Sequence, residues 1–130
     1  YNTMVGRNAG AATTASSAIT AIGYYAGAAN TSATQNTFLG FNAGAGCTDG
    51  GFNTAIGHNA LRQPDSETNN VAIGRLAMEG PIAGGEYNVA VGNNTLDALT
   101  SGDENTAIGY NIWKSIWCFI RSRQPYGVRS

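Results

Sequence analysis

The chain repeats a short pattern of apolar and polar positions, seen most plainly in NTAIGHNAL at residues 53–61 and NTAIGYNIW at residues 105–113. In each copy an aliphatic residue precedes a glycine, and Thr or Val stands two residues before the aliphatic one. An almost constant period over seven copies indicates an array of structural repeats. The glycines recur at separations of 17, 17, 17, 17, 18 and 17 residues, at Gly6, Gly23, Gly40, Gly57, Gly74, Gly92 and Gly109.

The segment before each glycine predicts a short β-strand. Alternate side chains of an extended chain share a face, so the aliphatic residue and the preceding Thr or Val lie together, while the residue between them, usually Ala, points the other way. We expect the aliphatic face to be the interior. The glycine ends the strand because a tight corner commonly requires positive φ. The aliphatic positions are Val5, Ile22, Leu39, Ile56, Ile73, Val91 and Ile108.

The segment after each glycine predicts a second short strand. There a small residue is followed by Gly, Leu or Met, as at Leu61, Met78 and Leu96, and we expect this strand to return to the same interior. The stretches between copies are rich in Gly, Pro, Asp and Asn, which is typical of loops. The one-residue insertion falls in MEGPIAGGEY, residues 78–87, away from the strand.

Seventeen residues fit one coil of a β-solenoid and are too few for a helix pair or a propeller blade. Stacked coils place equivalent residues in columns about 4.8 Å apart. We therefore predict an all-β fold: a β-solenoid, or parallel β-roll, of about seven 17-residue rungs over residues 1–112, followed by a separate segment at 113–130.

Asparagine occupies the fourth position before the glycine in six of the seven copies, and Ile19 interrupts the series. Stacked amides of this kind form hydrogen-bonded Asn ladders. We expect a structural ladder rather than a ligand site. Its members are Asn2, Asn36, Asn53, Asn70, Asn88 and Asn105.

Composition changes this picture little. Hydrophobic residues make up 42 per cent and charged residues 12 per cent, with a net charge of −1 and 18 glycines. The absence of a basic stripe argues against nucleic-acid binding. The chain also lacks a run of 18 apolar residues, which would predict a membrane span. The chain starts inside a repeat, at YNTMVG, which suggests a segment of a longer protein.

Candidate chemistry is sparse. The hexapeptides IGHNAL and LGFNAG match the repeat of left-handed β-helix acyltransferases, with His58 as the base, but that family needs the hexad three times per coil and here it occurs once. Calcium-binding rolls need an Asp column, and zinc sites need Cys and His clusters. The Thr column suggests an ice-binding face, but Val71 and Val89 break it and we expect it to point inward. We predict no catalytic residue, metal or cofactor.

Two features fall outside the repeat pattern. Cys47 and Cys118 are separated by about four rungs, too far for a disulfide within one chain unless the tail folds back. The segment IWKSIWCFIRSRQPYG, residues 112–127, has apolar residues at helical spacing. It is interpreted as a cap over the last strand edge, with a trimeric neck or an altered reading frame as alternatives.

The motif N-[TV]-A-[IV]-G-x-N-A resembles the head repeats of trimeric autotransporter adhesins and the related repeats of phage tail fibre proteins. The resemblance covers residues 2 to about 113 and recurs seven times, although those heads usually have a shorter period. It implies a left-handed parallel β-roll in which three chains lie side by side. It also implies attachment to a host or surface, and an extracellular location on a virion tail fibre or a cell surface.

Trimerisation also has a physical motive, because a thin rod with few large apolar side chains buries more surface by associating. We expect the Ala column to form that contact, with a water-facing alanine stripe as the alternative. The predicted function is a structural or adhesive fibre segment that binds copies of itself and a cell-surface glycan or receptor. The alternative is a self-assembling extracellular filament without a specific ligand. The predicted contact residues are Ala21, Ala55, Ala72, Ala90 and Ala107.

Overall fold

The computed structural model describes residues 1–112; the predicted cap or neck segment at 113–130 lies outside the described residues. Seven three-residue strands form one parallel sheet in chain order, and six complete coils join them. No helix occurs within residues 1–112. The predicted all-β parallel solenoid is confirmed. The strands are β1 (Thr3–Val5), β2 (Thr20–Ile22), β3 (Thr37–Leu39), β4 (Thr54–Ile56), β5 (Val71–Ile73), β6 (Val89–Val91) and β7 (Thr106–Ile108).

Every strand pairs with the next in the register of the sequence repeat. Thr20 aligns with Thr37, Ala55 with Ala72, and Ile73 with Val91 across the single 18-residue spacing. The extra residue is therefore absorbed in the loop between β5 and β6 and leaves the strand register intact. Each coil advances the chain by one interstrand spacing, about 4.8 Å.

Left-handed backbone conformations shape each coil at fixed positions. The repeat glycines have φ between 123° and 139°. The residue two positions after the glycine has a positive φ in all seven copies, and so does the residue four positions after it wherever the coil is complete. A fourth position, five residues before the glycine, is left-handed at Phe52 and Tyr87 among others. Besides the repeat glycine itself, the other three positions accept non-glycine residues with φ near 47–61°, a region in which Asn is tolerated best.

The glycine column is also where successive coils approach most closely. A Cβ atom at Gly57 would lie 2.5 Å from the carbonyl oxygen of Gly74, and one at Gly40 would lie 2.4 Å from that of Gly57. Both distances are far below van der Waals contact. Glycine is thus required at this corner for its φ and for the space that a side chain would take from the next coil.

The interior is lined by the Ala column, which corrects the predicted orientation of the strands. Ala21, Ala55, Ala72 and Ala90 have no exposed surface, whereas Val5, Leu39 and Ile108 are exposed. The prediction that the aliphatic face points inward and that Ala forms an intermolecular contact is therefore wrong. A 17-residue coil encloses a narrow interior, whose sheet wall carries mostly alanine.

Large interior side chains alternate between the two walls of the solenoid. In the first three coils the position four residues after the glycine is itself Gly, and the space is filled from the sheet by Met4 and Phe38. A Cβ at Gly27 or Gly44 would lie 2.7 or 2.2 Å from the Phe38 ring. In the next three coils the inner position of the sheet is Ala, and the larger side chains come from the opposite wall, four residues after the glycine. Those opposing residues are Leu61, Met78 and Leu96, all buried.

The predicted second strand is absent from the described residues, although its side chains do reach the interior. Parallel hydrogen bonding continues there, from the N–H of Gly27 to the carbonyl of Ala43 (2.9 Å) and from Leu61 to Ala77 (2.8 Å). The backbone is left-handed two and four residues after each glycine, so it cannot run extended between those points. The segment therefore forms stacked turns rather than a strand.

We expect Gly57→Ala to lower the free energy of unfolding by roughly 3 kcal/mol or more, because it combines an unfavourable φ with a backbone clash. Gly84→Ala is the matched control: Gly84 also has a positive φ, 83°, but no atom lies within 4 Å of its hypothetical Cβ. Its cost should be about 1 kcal/mol, from conformation alone. Urea unfolding followed by circular dichroism measures both. Equal losses in the two variants would contradict the close approach of the coils.

Candidate functional site

The buried asparagines form a continuous ladder over the C-terminal coils. The Oδ1 atom of each accepts a hydrogen bond from the backbone N–H of the next asparagine, as from Asn53 to Asn36 (2.7 Å) and from Asn70 to Asn53 (3.0 Å). The same contact joins Asn88 to Asn70 (2.9 Å) and Asn105 to Asn88 (3.0 Å). Buried polar groups of this kind are stable only when they are hydrogen-bonded.

Each ladder amide also fastens the loop of its own coil. The Nδ2 group of Asn53 donates to the carbonyl of Glu67 (2.8 Å), and that of Asn70 donates to the carbonyl of Gly85 (2.9 Å). Asn36 does the same to Gly50 (2.7 Å). One side chain thus sets the spacing between coils and closes the loop that returns to the sheet, which makes the column structural.

Ile19 leaves a gap in this ladder. Its backbone N–H still donates to Oδ1 of Asn2 (3.0 Å), but its side chain offers no acceptor to the next coil. Among residues 1–112, two buried polar atoms of the first two coils lack a hydrogen-bond partner, Nδ2 of Asn30 and Oγ1 of Thr13, and so do the Oδ1 atoms of Asn59, Asn94 and Asp97 in later coils. The ladder therefore runs without interruption only from Asn36 onward.

We expect Asn53→Ala to lower the free energy of unfolding by about 2–3 kcal/mol, because it leaves the Asn70 N–H and the Glu67 carbonyl unsatisfied in the interior. Asn2→Ala removes equivalent bonds at an exposed position and should cost about 1 kcal/mol or less. Chemical denaturation of both variants tests this. A loss at Asn53 no larger than that at Asn2 would show that the ladder contributes little.

The outer face of the sheet carries two parallel columns of side chains. One is the Thr or Val column, and the other is the aliphatic column that the sequence analysis assigned to the interior. Val5, Leu39 and Ile108 are exposed, and Ile56 and Ile73 are half-buried by their stacked neighbours. Neither column contains a charged residue. The outer face of the sheet is thus a flat, uncharged surface of methyl and hydroxyl groups.

All the exposed large apolar side chains lie on one side of the solenoid. We call this the strand side; it comprises, in each copy, the eight residues from five before the glycine to two after it. The remaining residues of each coil, the loop side, carry none of these side chains within the described chain. The exposed large apolar residues of the strand side are Tyr1, Val5, Ile22, Tyr24, Tyr25, Leu39, Phe41, Phe52, Tyr87, Ile108 and Tyr110.

An aromatic ridge runs along one edge of the strand side, at the position after the glycine. The rings of Tyr24 and Phe41 stack at 5.1 Å and 12°, and those of Phe41 and His58 at 5.0 Å and 7°. The Arg7 guanidinium lies 5.9 Å from the centre of the Tyr24 ring. Because the rings cover one another's faces, only their edges are free, and the ridge offers no open platform on which a sugar or a base can stack.

His58 is one step of this exposed ridge. It is in aromatic contact with Phe41, and its position is filled in other copies by Arg, Tyr or Asn. Gly57, which directly precedes His58, belongs to the glycine corner between coils. His58 is thus an exposed surface side chain of the ridge.

The loop side is polar and acidic. The eight acidic residues of the chain lie there or at its border with the strand side. Arg62 and Glu79 form an exposed ion pair at 3.5 Å. Glu67 is buried and accepts hydrogen bonds from the backbone N–H groups of Asp65 (2.6 Å) and Gly84 (2.8 Å), which joins two successive loops at the insertion. The described residues contain no group of three or more His, Cys, Asp or Glu side chains placed to hold a metal ion.

The threonines point outward, contrary to the prediction, since they share the outer face with the aliphatic column. Orientation therefore no longer argues against an ice-binding face. The composition still does, because Val71 and Val89 replace threonine in two adjacent strands of this column.

Cys47 is a buried thiol with a structural setting. Burial raises the pKa of its thiol from 9.0 to about 12, and the Sγ atom lies 3.2 Å from the Gly50 carbonyl oxygen. Cys118, which is predicted to lie too far from Cys47 for a disulfide within one chain unless the tail folds back, lies outside the described residues. A protonated, buried thiol is a poor nucleophile.

We expect Cys47, in a Cys118→Ser background, to react with an aromatic disulfide reagent at about pH 8 only as fast as the chain opens. The unfolded thiol ionises near pH 9 and the folded thiol near pH 12, so stability due to Cys47 falls as the pH rises above about 9. Cys47→Ala should lose this part of the pH dependence. Rapid labelling of the folded protein would contradict the buried position.

The described residues contain no helix long and apolar enough to cross a membrane. Comparison of the chain with protein-family models, with curated proteins and with solved structures finds no match.

Proposed function

We propose that this chain is a rigid structural and adhesive segment of an extracellular fibre, in which several copies associate through their strand sides. The observation that carries the proposal is the confinement of every exposed large apolar side chain of the described residues to that side. Exposed apolar patches of this extent mark interaction surfaces in soluble proteins. The polar loop side then remains in contact with water and faces outward.

Rigidity follows from the architecture. Six coils are joined by in-register backbone hydrogen bonds, and the asparagine ladder links four successive pairs of coils from Asn36 to Asn105. Each coil contacts only its neighbours, so the repeats build length without a large core. A structural rather than an enzymatic role fits an interior made of alanine and a column of amides.

We propose a homotrimer as the assembled form. The resemblance to trimeric adhesin heads and to tail fibre repeats implies three chains side by side, and a flat uncharged sheet face is compatible with close packing against a copy of itself. The Ala column, which was expected to make this contact, is buried within the chain, so the contact belongs to the aliphatic column and its flanking aromatic residues. Attachment to a host glycan or receptor, on a virion tail fibre or a cell surface, would use the outward loops.

The second candidate is a self-assembling filament without a specific ligand. It is favoured by one observation: all seven strands pair in parallel and in register, a pattern that coils of another molecule can continue. Filaments would grow along the solenoid axis, whereas the proposed trimer associates sideways.

We expect size-exclusion chromatography with light scattering to give a trimer of fixed mass, and Ile73→Lys to convert it to monomer by placing a charge on the strand side. Ser66→Lys, an exposed position on the loop side, is the control and should leave the mass unchanged. A wild-type monomer would refute the trimer. Masses that grow with concentration, and that persist in Ile73→Lys, would support the filament instead.

A further inference from the structure

The strand side is not uniform along the solenoid. In β1 to β4 and in β7 the outer columns pair a threonine with an aliphatic residue, whereas β5 and β6 read Val-Ala-Ile and Val-Ala-Val. Val71, Ile73, Val89 and Val91 therefore form a contiguous patch without a hydroxyl group, which we call the valine patch. All four side chains are half-buried by their stacked neighbours.

The edges of the strand side beside the valine patch are mostly polar, while the aliphatic column continues along the axis to Ile56 and Ile108. At the two edges of the strand side beside it stand Asn69, Arg75 and Asn93, together with Tyr87. At the first four strands the arrangement is the reverse: the columns contain threonine, while the edges carry aromatic side chains such as Tyr24, Phe41 and Phe52. An apolar centre inside a polar rim is the usual anatomy of a protein interface.

We infer that the valine patch is the energetic centre of self-association and that the threonine-bearing strands on either side of it form the weaker margin. This inference rests on the proposed association of strand sides and names the residues that would carry it. The partner is a second copy of this chain, facing the patch with its own strand side.

Two physical features select a second copy as the partner. The columns form ridges repeated about every 4.8 Å along the solenoid, and another sheet with the same repeat matches them over their whole length. The patch and the outer columns carry no charge, so they offer no complementarity to an acidic or basic partner.

The available area suits such a contact. Seven three-residue strands about 4.8 Å apart give a sheet face of roughly 340 Å², to which the side chains at the two edges of the strand side add, compared with about 800 Å² per partner in a standard interface. A surface of that size depends on a small number of well-packed side chains. The hydroxyl-free patch is the part of this face that loses no hydrogen bond to water when it is covered.

The test exchanges methyl groups for hydroxyl groups without altering shape. Val71→Thr with Val89→Thr restores the residue found at this position in five of the seven strands, so the fold itself accommodates it. The matched control is Ile22→Thr with Leu39→Thr, which also places two threonines on the outer face but outside the patch. Sedimentation equilibrium measures association, and circular dichroism confirms that both variants are folded.

We expect the valine-patch variant to associate about tenfold or more weakly than the wild type, because two hydroxyl groups per chain lose water in a dry contact. The control pair should change association by less than about threefold, since marginal contacts contribute little. Equal weakening in both variants, or none in the patch variant, would overturn the inference while leaving self-association intact. A wild-type protein that stays monomeric would overturn the proposed association and this inference with it.

Discussion

The close approach of successive coils at the glycine corner is the constraint on which the rest of the structure depends. At Gly57 the next backbone carbonyl occupies the place where a side chain would begin, so consecutive coils can stack only at the spacing of paired strands. That spacing brings each asparagine amide within reach of the next backbone N–H. It also leaves a narrow interior, in which small side chains on one wall face larger ones on the other. Ladder, register and interior are therefore consequences of one contact repeated along the axis.

The narrow interior determines where the larger apolar side chains lie. Isoleucine, valine and leucine precede the glycine in every copy, and most of them are displaced to the outside because alanine occupies the inner position. Larger residues enter the interior from one wall where the facing wall carries glycine or alanine, as Phe38 does beside Gly27 and Gly44, and as Leu61 does in a coil whose sheet carries Ala. The exposed apolar strand side is thus a direct result of the small cross-section of a 17-residue coil.

This arrangement separates two roles along each coil. The strand side is flat, uncharged in its outer columns, and repeated without interruption, which suits packing against other copies. The loop side absorbs the insertion, holds the acidic residues, and is secured from beneath by the ladder amides and by Glu67. Variation in the loops therefore need not disturb the register of the sheet.

Much of the architecture follows from the sequence. The period of 17 residues, the strand before each glycine, the glycine corner and the asparagine column are local properties that recur seven times, and repetition makes them readable without coordinates. A signal for the correct strand orientation was present as well. Asn53 and Ala55 share one face by simple alternation, so a buried ladder at Asn53 requires Ala55 to point inward and Ile56 outward.

Only the tertiary structure decided which face became the interior and whether the segment after the glycine formed a strand. The first depends on the width of the closed coil, which no single repeat contains. The second depends on left-handed conformations at residues such as Asn59 and Leu61, where the turn geometry overrides an apparently extended pattern. The sequence by itself determined the repeat and its spacing, because these are set by neighbours in the chain. The tertiary structure decided which side chains are buried, because burial depends on how much space the stacked backbones leave between them.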